Sequence, residues 1–318
     1  MSRARAEEAL LRAAVGDDRD KIAAAVERFT WRRAETRDEF ALGYDALFRE
    51  FERTADILPR AILERWFAAR SLSRADDAIQ CEYAMVLAHE RTTGAFAGVR
   101  DCFVTVDRRT RRAVVLLAHT LVLPPFRRSG VAAILRSVPV VLVHDADEIL
   151  LAGEMDMAVP HPKGTVVRLI AYGRAGFRVI PPAMLPYAQP DLRDLSGGLE
   201  PEPLPFLCLV RQVGEEDRRD ISRARVRAFV DHIDAVHRCH MDSAQLDAIR
   251  DHAFTALARV EGDPLPLLDL PRDTAHLSEL RPFLKSVAFR LYPESWRGSE
   301  PLRDPDEEMR ALLDAWRV

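Results

Sequence analysis

Residues 121–135, with the sequence LVLPPFRRSGVAAIL, decide how the chain is interpreted. An apolar run ends in two prolines and two arginines, and a single glycine then precedes a helical pattern of small and aliphatic residues. A turn between a strand and a helix gathers backbone N–H groups at the positive end of the helix, where they bind anions. The turn is therefore a candidate phosphate site. The alternative is an ordinary strand–helix connection with solvated arginines.

The regions on either side of the turn predict a mixed α+β arrangement. Three runs rich in β-branched and aliphatic residues precede it, and short polar turns divide them into an antiparallel meander at 80–90, 94–107 and 112–123. Helical spacing predicts helices before the meander and after the turn, at 36–54, 58–70, 131–146 and 164–177. Further strands are expected at 148–157, 177–189 and 204–213. From about Glu215 onward, helical patterns dominate.

These patterns predict three regions along the chain. We expect an N-terminal helical extension at 1–28, an α+β domain at 29–214, and an all-α C-terminal region at 215–318. The sequence does not distinguish N-terminal helices that pack on the core from helices that form a homodimer contact.

Composition limits the classes of function. The net charge of −4 and the pI near 6.2 argue against general nucleic-acid binding, which needs a basic surface. No run reaches the roughly 20 apolar residues of a membrane span, and the N-terminus lacks the apolar core of a secretion signal. The four cysteines lie far apart, so a reduced, cytoplasmic protein is expected. Arginine greatly outnumbers lysine, which is typical of a GC-rich bacterial coding bias.

Two motifs in order carry a family resemblance. Residues 122–132, VLPPFRRSGVA, fit the pattern V-x-P-x-Y/F-R-x-x-G-x-G/A, and residues 172–177, YGRAGF, fit Y-x-x-x-G-F. Over roughly residues 29–213 the chain thus resembles the GNAT superfamily of acyl-CoA-dependent N-acyltransferases. The resemblance implies a splayed, mostly antiparallel mixed sheet flanked by helices, and acetyl-CoA or another acyl-CoA as co-substrate without a metal.

The resemblance also implies roles for individual residues. The backbone of Val122 and Leu123 would pair with the pantetheine amides, and the amides from Arg128 to Ala133 would hold the pyrophosphate. A gap between the third meander strand and the strand at 148–157 would admit the acyl chain. Tyr172 would protonate the departing thiolate, since a phenol with a pKa near 10 stays protonated at neutral pH. The residues implied in cofactor binding are Val122, Leu123, Arg127, Arg128, Ser129, Gly130, Val131, Ala132 and Ala133.

The chain departs from the family pattern at two positions. Thr165 stands where many members have an asparagine seven residues before the tyrosine, and Arg128 replaces the usual small residue after the motif arginine. In the family, the asparagine makes one contact that positions water or CoA, and Thr165 stands in its place. The side chain of Arg128 is expected to lie outside the turn, where it could meet a CoA phosphate.

A proton acceptor for the substrate amine has three candidates on predicted strands. Attack on a thioester needs a neutral amine, so a base or a water chain collects the proton. Glu154 ranks first, because its strand is expected to line the cleft, and His119 ranks next; Glu82 is the third. The alternative for each is a solvent-facing or structurally hydrogen-bonded side chain.

The sequence therefore predicts an N-acyltransferase, most simply an acetyltransferase, that acts on a small-molecule or peptide amine. One alternative is a long-chain N-acyl amino acid synthase that uses acyl carrier protein, with a docking patch of Arg108, Arg109, Arg111 and Arg112. Another is a non-catalytic acyl-CoA-binding sensor. The histidines between 232 and 240 lack zinc-site spacing, and we interpret them as exposed residues near a helix end.

Overall fold

The computed structural model describes residues 3–52, 57–73, 77–159, 163–192, 202–241, 243–297 and 301–316. The chain divides into two compact units, residues 1–151 and residues 152–318. Strand β5 (Glu148–Asp156) crosses the division. No helix in the described ranges is long and apolar enough to cross a bilayer.

The first unit is built on an antiparallel meander with helices on both faces. Its elements before β5 are α1 (Arg3–Ala13), α2 (Asp17–Ala25), β1 (Phe29–Arg33), α3 (Arg37–Phe51), α4 (Arg60–Ala69), β2 (Ile79–Glu90), β3 (Phe96–Asp107), β4 (Arg112–Val122) and α5 (Val131–Val141). Strands β1 to β4 pair in order, each antiparallel to the next.

The start of β5 lies beside the start of β4. The amide of Asp147 donates to the carbonyl of Arg111 at 2.7 Å. The guanidinium of Arg111 binds the carboxylate of Asp147 in two places, at 2.8 and 3.0 Å, and Arg112 pairs with Glu148 at 2.9 Å. The two strands thus begin at the same end, which is the arrangement of a parallel pair within an otherwise antiparallel sheet.

The two faces of the meander are covered by different helices. On one face Trp66 of α4 packs on the sheet, with ring centroids 5.5 Å from Phe103 and 6.5 Å from Tyr83. On the other face α1, α2 and α5 form one apolar core with the sheet. Its members include Leu10, Ile22, Phe29, Val86, Ala97, Ile134 and Leu135. The helical pattern predicted at the N-terminus is therefore part of the hydrophobic core of the first unit.

The second unit combines a smaller sheet with the C-terminal helices. Its elements after β5 are α6 (Lys163–Arg174), β6 (Arg178–Ile180), β7 (Ala188–Gln189), β8 (Leu204–Gln212), β9 (Asp220–Ile221), α7 (Arg223–Arg238), α8 (Ser243–Arg259), β10 (Leu265–Pro266), β11 (Leu268–Asp269), α9 (Lys285–Ala288) and α10 (Pro305–Asp314). β8 lies between β5 and β6, and β11 pairs with the other edge of β6.

The helices and strands confirm the predicted fold class. Two predictions about parts of the chain, the C-terminal region and the end of α5, were wrong. The mostly antiparallel sheets with flanking helices confirm the α+β class. The region from 215 onward is not all-α, because it contributes the short strands β9, β10 and β11. These strands have two residues each, too few for an alternating pattern to reveal. Helix α5 ends at Val141 rather than near 146, two residues after the proline at position 139.

Residues from both sides of the predicted boundary near 215 contact one another in the second unit. The hydroxyl of Tyr292 donates to the carbonyl of Tyr187 at 2.7 Å and lies 3.3 Å from the carbonyl of Phe206. Arg211, which is buried, pairs with Glu216 at 3.0 Å. The domain limits at 28/29 and 214/215 stay predictions.

Candidate functional site

The end of β4 leads directly into the candidate phosphate turn. The amide of Leu123 donates to the carbonyl of Ala97 at 3.0 Å, so Leu123 directs its backbone toward β3. Because backbone groups alternate along a strand, Val122 directs its own toward the opposite side. There the carbonyl of Val122 accepts a hydrogen bond from Nε of Arg127 at 3.4 Å. Val122, and not Leu123, is thus the residue of this pair whose backbone N–H faces away from β3.

The backbone of the turn and the helix that follows it make the turn a candidate anion-binding site. Arg128 and Gly130 both have positive φ angles, 64° and 90°. Helix α5 begins at Val131, and its first hydrogen bonds run from Ala133 and Ile134 to the carbonyl of Gly130. The amides of Val131 and Ala132 precede any intrahelical acceptor and lie at the positive end of the helix dipole. The predicted phosphate-binding amides of Ser129 and Ala133 instead donate to the carbonyls of Phe126 and Gly130, at 3.4 and 3.0 Å. Both turn arginines are exposed, so their charge adds to that of the amides.

Helix α2 lies against the turn at Gly130. A Cβ atom at position 130 would lie 2.7 Å from the carbonyl oxygen of Lys21 and 2.8 Å from the Cβ of Ala25. Position 130 therefore needs glycine for two separate reasons, its positive φ angle and its contact with α2. Residues 17–25 thus form one wall of the turn, which the two sequence motifs did not predict.

A β-bulge in β4 places His119 beside a buried carboxylate. Between Arg100 and Cys102 of β3 lies one residue, Asp101, whereas the facing segment of β4 has two, Ala118 and His119. The bulge leaves the His119 amide free of the ladder, and this amide donates to Oδ1 of Asp101 at 2.7 Å. Nδ1 of His119 lies 3.0 Å from the same oxygen. Bulges near active sites commonly re-aim a side chain in this way.

Tyr83 completes the environment of Asp101. Its hydroxyl donates to Oδ2 of Asp101 at 3.2 Å, and both side chains are buried. Burial acts to raise the pKa of Asp101, but the charge of His119 and the hydrogen bonds from His119 and Tyr83 outweigh it and hold the pKa below its ordinary value. Burial, and then the Asp101 charge, raise the pKa of Tyr83 well above 10, so Tyr83 remains a donor.

The Asp101 carboxylate therefore fixes the orientation of the imidazole. With Nδ1–H donated to Asp101, the lone pair of a neutral ring lies on Nε2, which is the arrangement of a general base. The ring of Phe51 lies 5.0 Å from the His119 ring and partly covers it, and the His119 side chain is 14% exposed. This arrangement of imidazole and carboxylate can accept a proton from a bound amine.

Glu154, in the second unit, has different surroundings. The hydroxyl of Tyr187 is hydrogen-bonded to the Glu154 carboxylate. Oε1 of Glu154 lies 3.8 Å from Nε2 of His237, a residue of α7. Both side chains are buried, at 8% and 7% exposure. Sequence reasoning placed Glu154 on a strand beside apolar residues, which is correct, but it did not predict the histidine from the C-terminal region.

Tyr172 lies near the end of α6 and caps it. Its ring meets the edge of Phe177 with centroids 4.9 Å apart and planes at 81°. Its carbonyl accepts hydrogen bonds from the amides of Ala175 and Phe177, at 3.0 and 3.1 Å. Gly176 takes a φ angle of 81°, which ends the helix. The Y-x-x-x-G-F motif is thus a helix-terminating unit that holds the Tyr172 ring partly buried.

Two other predicted positions have structural partners. Glu82 is about two-fifths exposed and forms an ion pair with Arg33 of β1, which matches the solvent-facing alternative. Thr165 is buried in α6, and its hydroxyl accepts a hydrogen bond from Arg168 at 3.3 Å.

Sequence reasoning missed Asp101, Tyr83 and His237. Asp101 and Tyr83 sit inside apolar strand runs, and a charged residue within such a run is the signal that could have identified Asp101. The prediction that the histidines between 232 and 240 are exposed was wrong for His232 and His237, which are both buried. No group of three or more potential metal ligands occurs among the residues that the structure describes.

Comparisons with known proteins find similarity only at the level of solved structures. No model of a known protein family matches the sequence, and no curated protein matches it. An acetyltransferase of the GNAT family from Bacteroides thetaiotaomicron, described as putative, is 14% identical with a TM-score of 0.37, over 57% of this chain and 85% of that one. A GNAT-family acetyltransferase from Staphylococcus aureus is 12% identical with a TM-score of 0.34, over 58% of this chain and 99% of that one.

Ard1 from Thermoplasma volcanium is 16% identical with a TM-score of 0.31, over 59% of this chain and 99% of that one. Several of the solved structures that resemble this chain are thus GNAT-family acetyltransferases, the family that the two sequence motifs indicate.

Proposed function

We propose that the protein is an acyl-CoA-dependent N-acyltransferase, most simply an acetyltransferase, that acts on a small-molecule or peptide amine. The observation that carries this proposal is the turn between β4 and α5. It combines two positive-φ residues, the amides of a helix N-terminus and two exposed arginines directly after a strand end. That combination suits a pyrophosphate, and the strand end suits the amides of a pantetheine chain.

In this proposal the acceptor amine attacks the thioester carbonyl directly. A backbone N–H of β4 polarises the carbonyl, and Tyr172 protonates the departing thiolate. Two groups are supported as acceptors of the amine proton. His119 is oriented by Asp101 at 3.0 Å, and Glu154 is held by Tyr187 beside His237.

The structure favours CoA over acyl carrier protein as donor. Carrier-protein docking needs free positive charge, for which the hairpin tip between β3 and β4 is the sequence candidate. Two of its four arginines are neutralised, because Arg111 pairs with Asp147 and Arg112 pairs with Glu148. The tip therefore offers less free positive charge than its sequence indicates.

The proposal is tested by thermal shift with CoA, acetyl-CoA and a long-chain acyl-CoA. A ligand that binds only the native state raises the melting temperature with its concentration. Arg128→Gln removes one exposed charge from the turn, and Arg109→Gln removes one from the hairpin tip as the matched control. We expect CoA species to stabilise the wild type and the control, and to stabilise Arg128→Gln less. Absence of any shift with all three ligands would contradict the proposal.

Transfer is then measured with radiolabelled acetyl-CoA and a panel of primary amines. We expect acetyl transfer to at least one amine, and a lower rate in Tyr172→Phe with unchanged CoA affinity. Cofactor binding without any turnover, and without any effect of Tyr172→Phe, would instead support the acyl-CoA sensor.

A further inference from the structure

Two buried polar side chains from distant parts of the chain meet inside the second unit. Glu154 comes from β5, and His237 comes from α7, in the C-terminal region that the motifs do not cover. Oε1 of Glu154 and Nε2 of His237 are 3.8 Å apart, and less than a tenth of either side chain is exposed.

The facing atoms of this pair lack hydrogen-bond partners. Oε1 of Glu154 and both ring nitrogens of His237 are buried without a partner among the described residues. A buried polar group without a hydrogen-bond partner destabilises the folded state, so three such atoms at one place call for a functional explanation. The separation exceeds a hydrogen bond by only about 1 Å, and a small approach or one bridging water closes it.

The remaining groups around the pair hold the carboxylate in place. Tyr187 is fully buried and donates its hydroxyl to Glu154, and burial followed by the charge of Glu154 raises the Tyr187 pKa well above 10. The backbone carbonyl of Tyr187 in turn accepts the hydroxyl of Tyr292 at 2.7 Å. One carboxylate oxygen is thus fixed by a permanent donor, while Oε1 faces the imidazole.

A second imidazole lies beyond the first on the same helix. The ring centroid of His240 is 5.8 Å from that of His237, and His240 is less buried. Two further titratable side chains, Cys208 of β8 and Asp234 of α7, interact electrostatically with Tyr187, and Cys208 also interacts with Glu154. The order Glu154, His237, His240 leads from a buried carboxylate toward a more exposed imidazole.

We propose that Glu154 and His237 form a proton-exchanging pair, in which His237 is a positioning residue that serves the Glu154 carboxylate. Its use in turnover rests on the proposed function. When Glu154 takes a proton from the acceptor amine, an N–H bond breaks and an O–H bond forms. Transfer to Nε2 of His237 breaks that O–H bond and restores the carboxylate. This step requires a neutral His237 with its proton on Nδ1 and a lone pair on Nε2. The imidazolium then breaks its Nδ1–H bond and gives that proton to a ring nitrogen of His240, which passes it to solvent. Tautomer exchange moves the remaining proton from Nε2 back to Nδ1 and restores the starting pair. Helix α7 thereby supplies a functional group to the acyltransferase.

The pair itself is tested without any turnover. In the full-length protein with ¹⁵N-labelled histidine, the pH is lowered until the pair has taken up a proton. That proton then lies between imidazole and carboxylate and gives a low-field N–H resonance. We expect such a resonance to be lost in His237→Gln and in Glu154→Met, which keeps side-chain length without a carboxylate. It should persist in the control His276→Gln, which removes an exposed histidine. A spectrum in which Glu154→Met loses no low-field resonance would overturn the pair, because packing alone does not produce this signal.

The role in turnover is tested on the same variants. If the wild type transfers an acyl group, His237→Gln should lower kcat at least tenfold, while the KM for acyl-CoA stays within twofold. A kcat within twofold of the wild type would overturn the relay. If the wild type transfers nothing while the resonance behaves as expected, the pair stands and the proposed function fails.

Discussion

Nδ1 of His119 lies 3.0 Å from Oδ1 of Asp101, a carboxylate that is 1% exposed and that also accepts the His119 amide. The backbone amide and the imidazole of His119 both bind the same buried oxygen of Asp101. These two hydrogen bonds hold the backbone at the bulge and the imidazole ring in place. The ring therefore has little rotational freedom to lose when a substrate binds, which favours its use as a base.

The first prediction concerns the catalytic effect of this carboxylate. Asp101→Asn keeps the shape of the side chain and removes the charge that stabilises a protonated imidazole. If His119 is the base, kcat should fall at least about tenfold, since general base catalysis contributes about 10²–10⁴. The KM for acyl-CoA should change little. Steady-state kinetics measure both values.

Tyr83→Phe is the matched control for that variant. It removes the 3.2 Å hydrogen bond to Oδ2 of Asp101 and leaves the carboxylate and His119 in place. We expect a smaller loss of kcat than in Asp101→Asn. Equal losses in the two variants would indicate a purely structural role for the cluster, and unchanged kcat in Asp101→Asn would favour Glu154 as base.

The second prediction concerns acid stability. Because the pKa of folded Asp101 lies below 3.8, its ordinary value, ionised Asp101 stabilises the folded state. That contribution is fully present above the ordinary pKa and is lost as pH falls below it, through the lowered pKa of the folded state. The difference in urea midpoint between wild type and Asp101→Asn should thus shrink as pH falls below about 4. A difference that grows as pH falls below about 4 would contradict this assignment.

The turn could be predicted from sequence, but its surroundings could not. Gly130 follows a strand and precedes a helix within a twelve-residue span, so local pattern was sufficient to identify it. The contact with α2 joins residues more than 100 positions apart, and no local pattern encodes it. The same holds for Glu154 and His237, whose proximity depends on how α7 packs in the second unit. Long-range contacts of this kind become visible only in the folded chain.

The third prediction separates the two constraints on Gly130. In Gly130→Ala the new methyl group sits on a residue with a positive φ angle and also clashes with α2. In Gly94→Ala the residue has a positive φ angle of 69°, but the methyl group has no atom within 4 Å. Overpacking costs about 1–3 kcal/mol, so Gly130→Ala should destabilise the protein by about that much more than Gly94→Ala. Urea unfolding monitored by circular dichroism gives both values. Equal losses in the free energy of unfolding would show that α2 shifts to make room for the methyl group.

The fourth prediction concerns the attachment of the N-terminal helices. Asp18 of α2 is fully buried and binds Arg136 of α5 through two hydrogen bonds, at 2.8 and 2.7 Å. Asp18→Ala removes both of these hydrogen bonds from a largely buried guanidinium, and breaking a buried ion pair from one side costs about 3–5 kcal/mol. Asp18→Ala should therefore lower the free energy of unfolding by about that amount.

The exposed pair of Glu8 and Arg12 provides the comparison for Asp18→Ala. It lies on one face of α1, with both side chains more than half exposed, and such pairs contribute little. Glu8→Ala should change stability by less than about 0.5 kcal/mol. A small effect of both variants would mean that α2 is not held to α5 by this pair.

The last prediction concerns the C-terminal region as an independent part. A chain that ends at residue 214 loses β11, which pairs with β6, and Tyr292, which donates to the carbonyl of Tyr187. It also loses α7, which covers Glu154, so a carboxylate and the core of the second unit become exposed. We expect this truncated protein to be insoluble or to lack a cooperative thermal transition, because the second unit then lacks part of its core. If the truncated protein folds and CoA still raises its melting temperature, the result would instead support a separate module after residue 214.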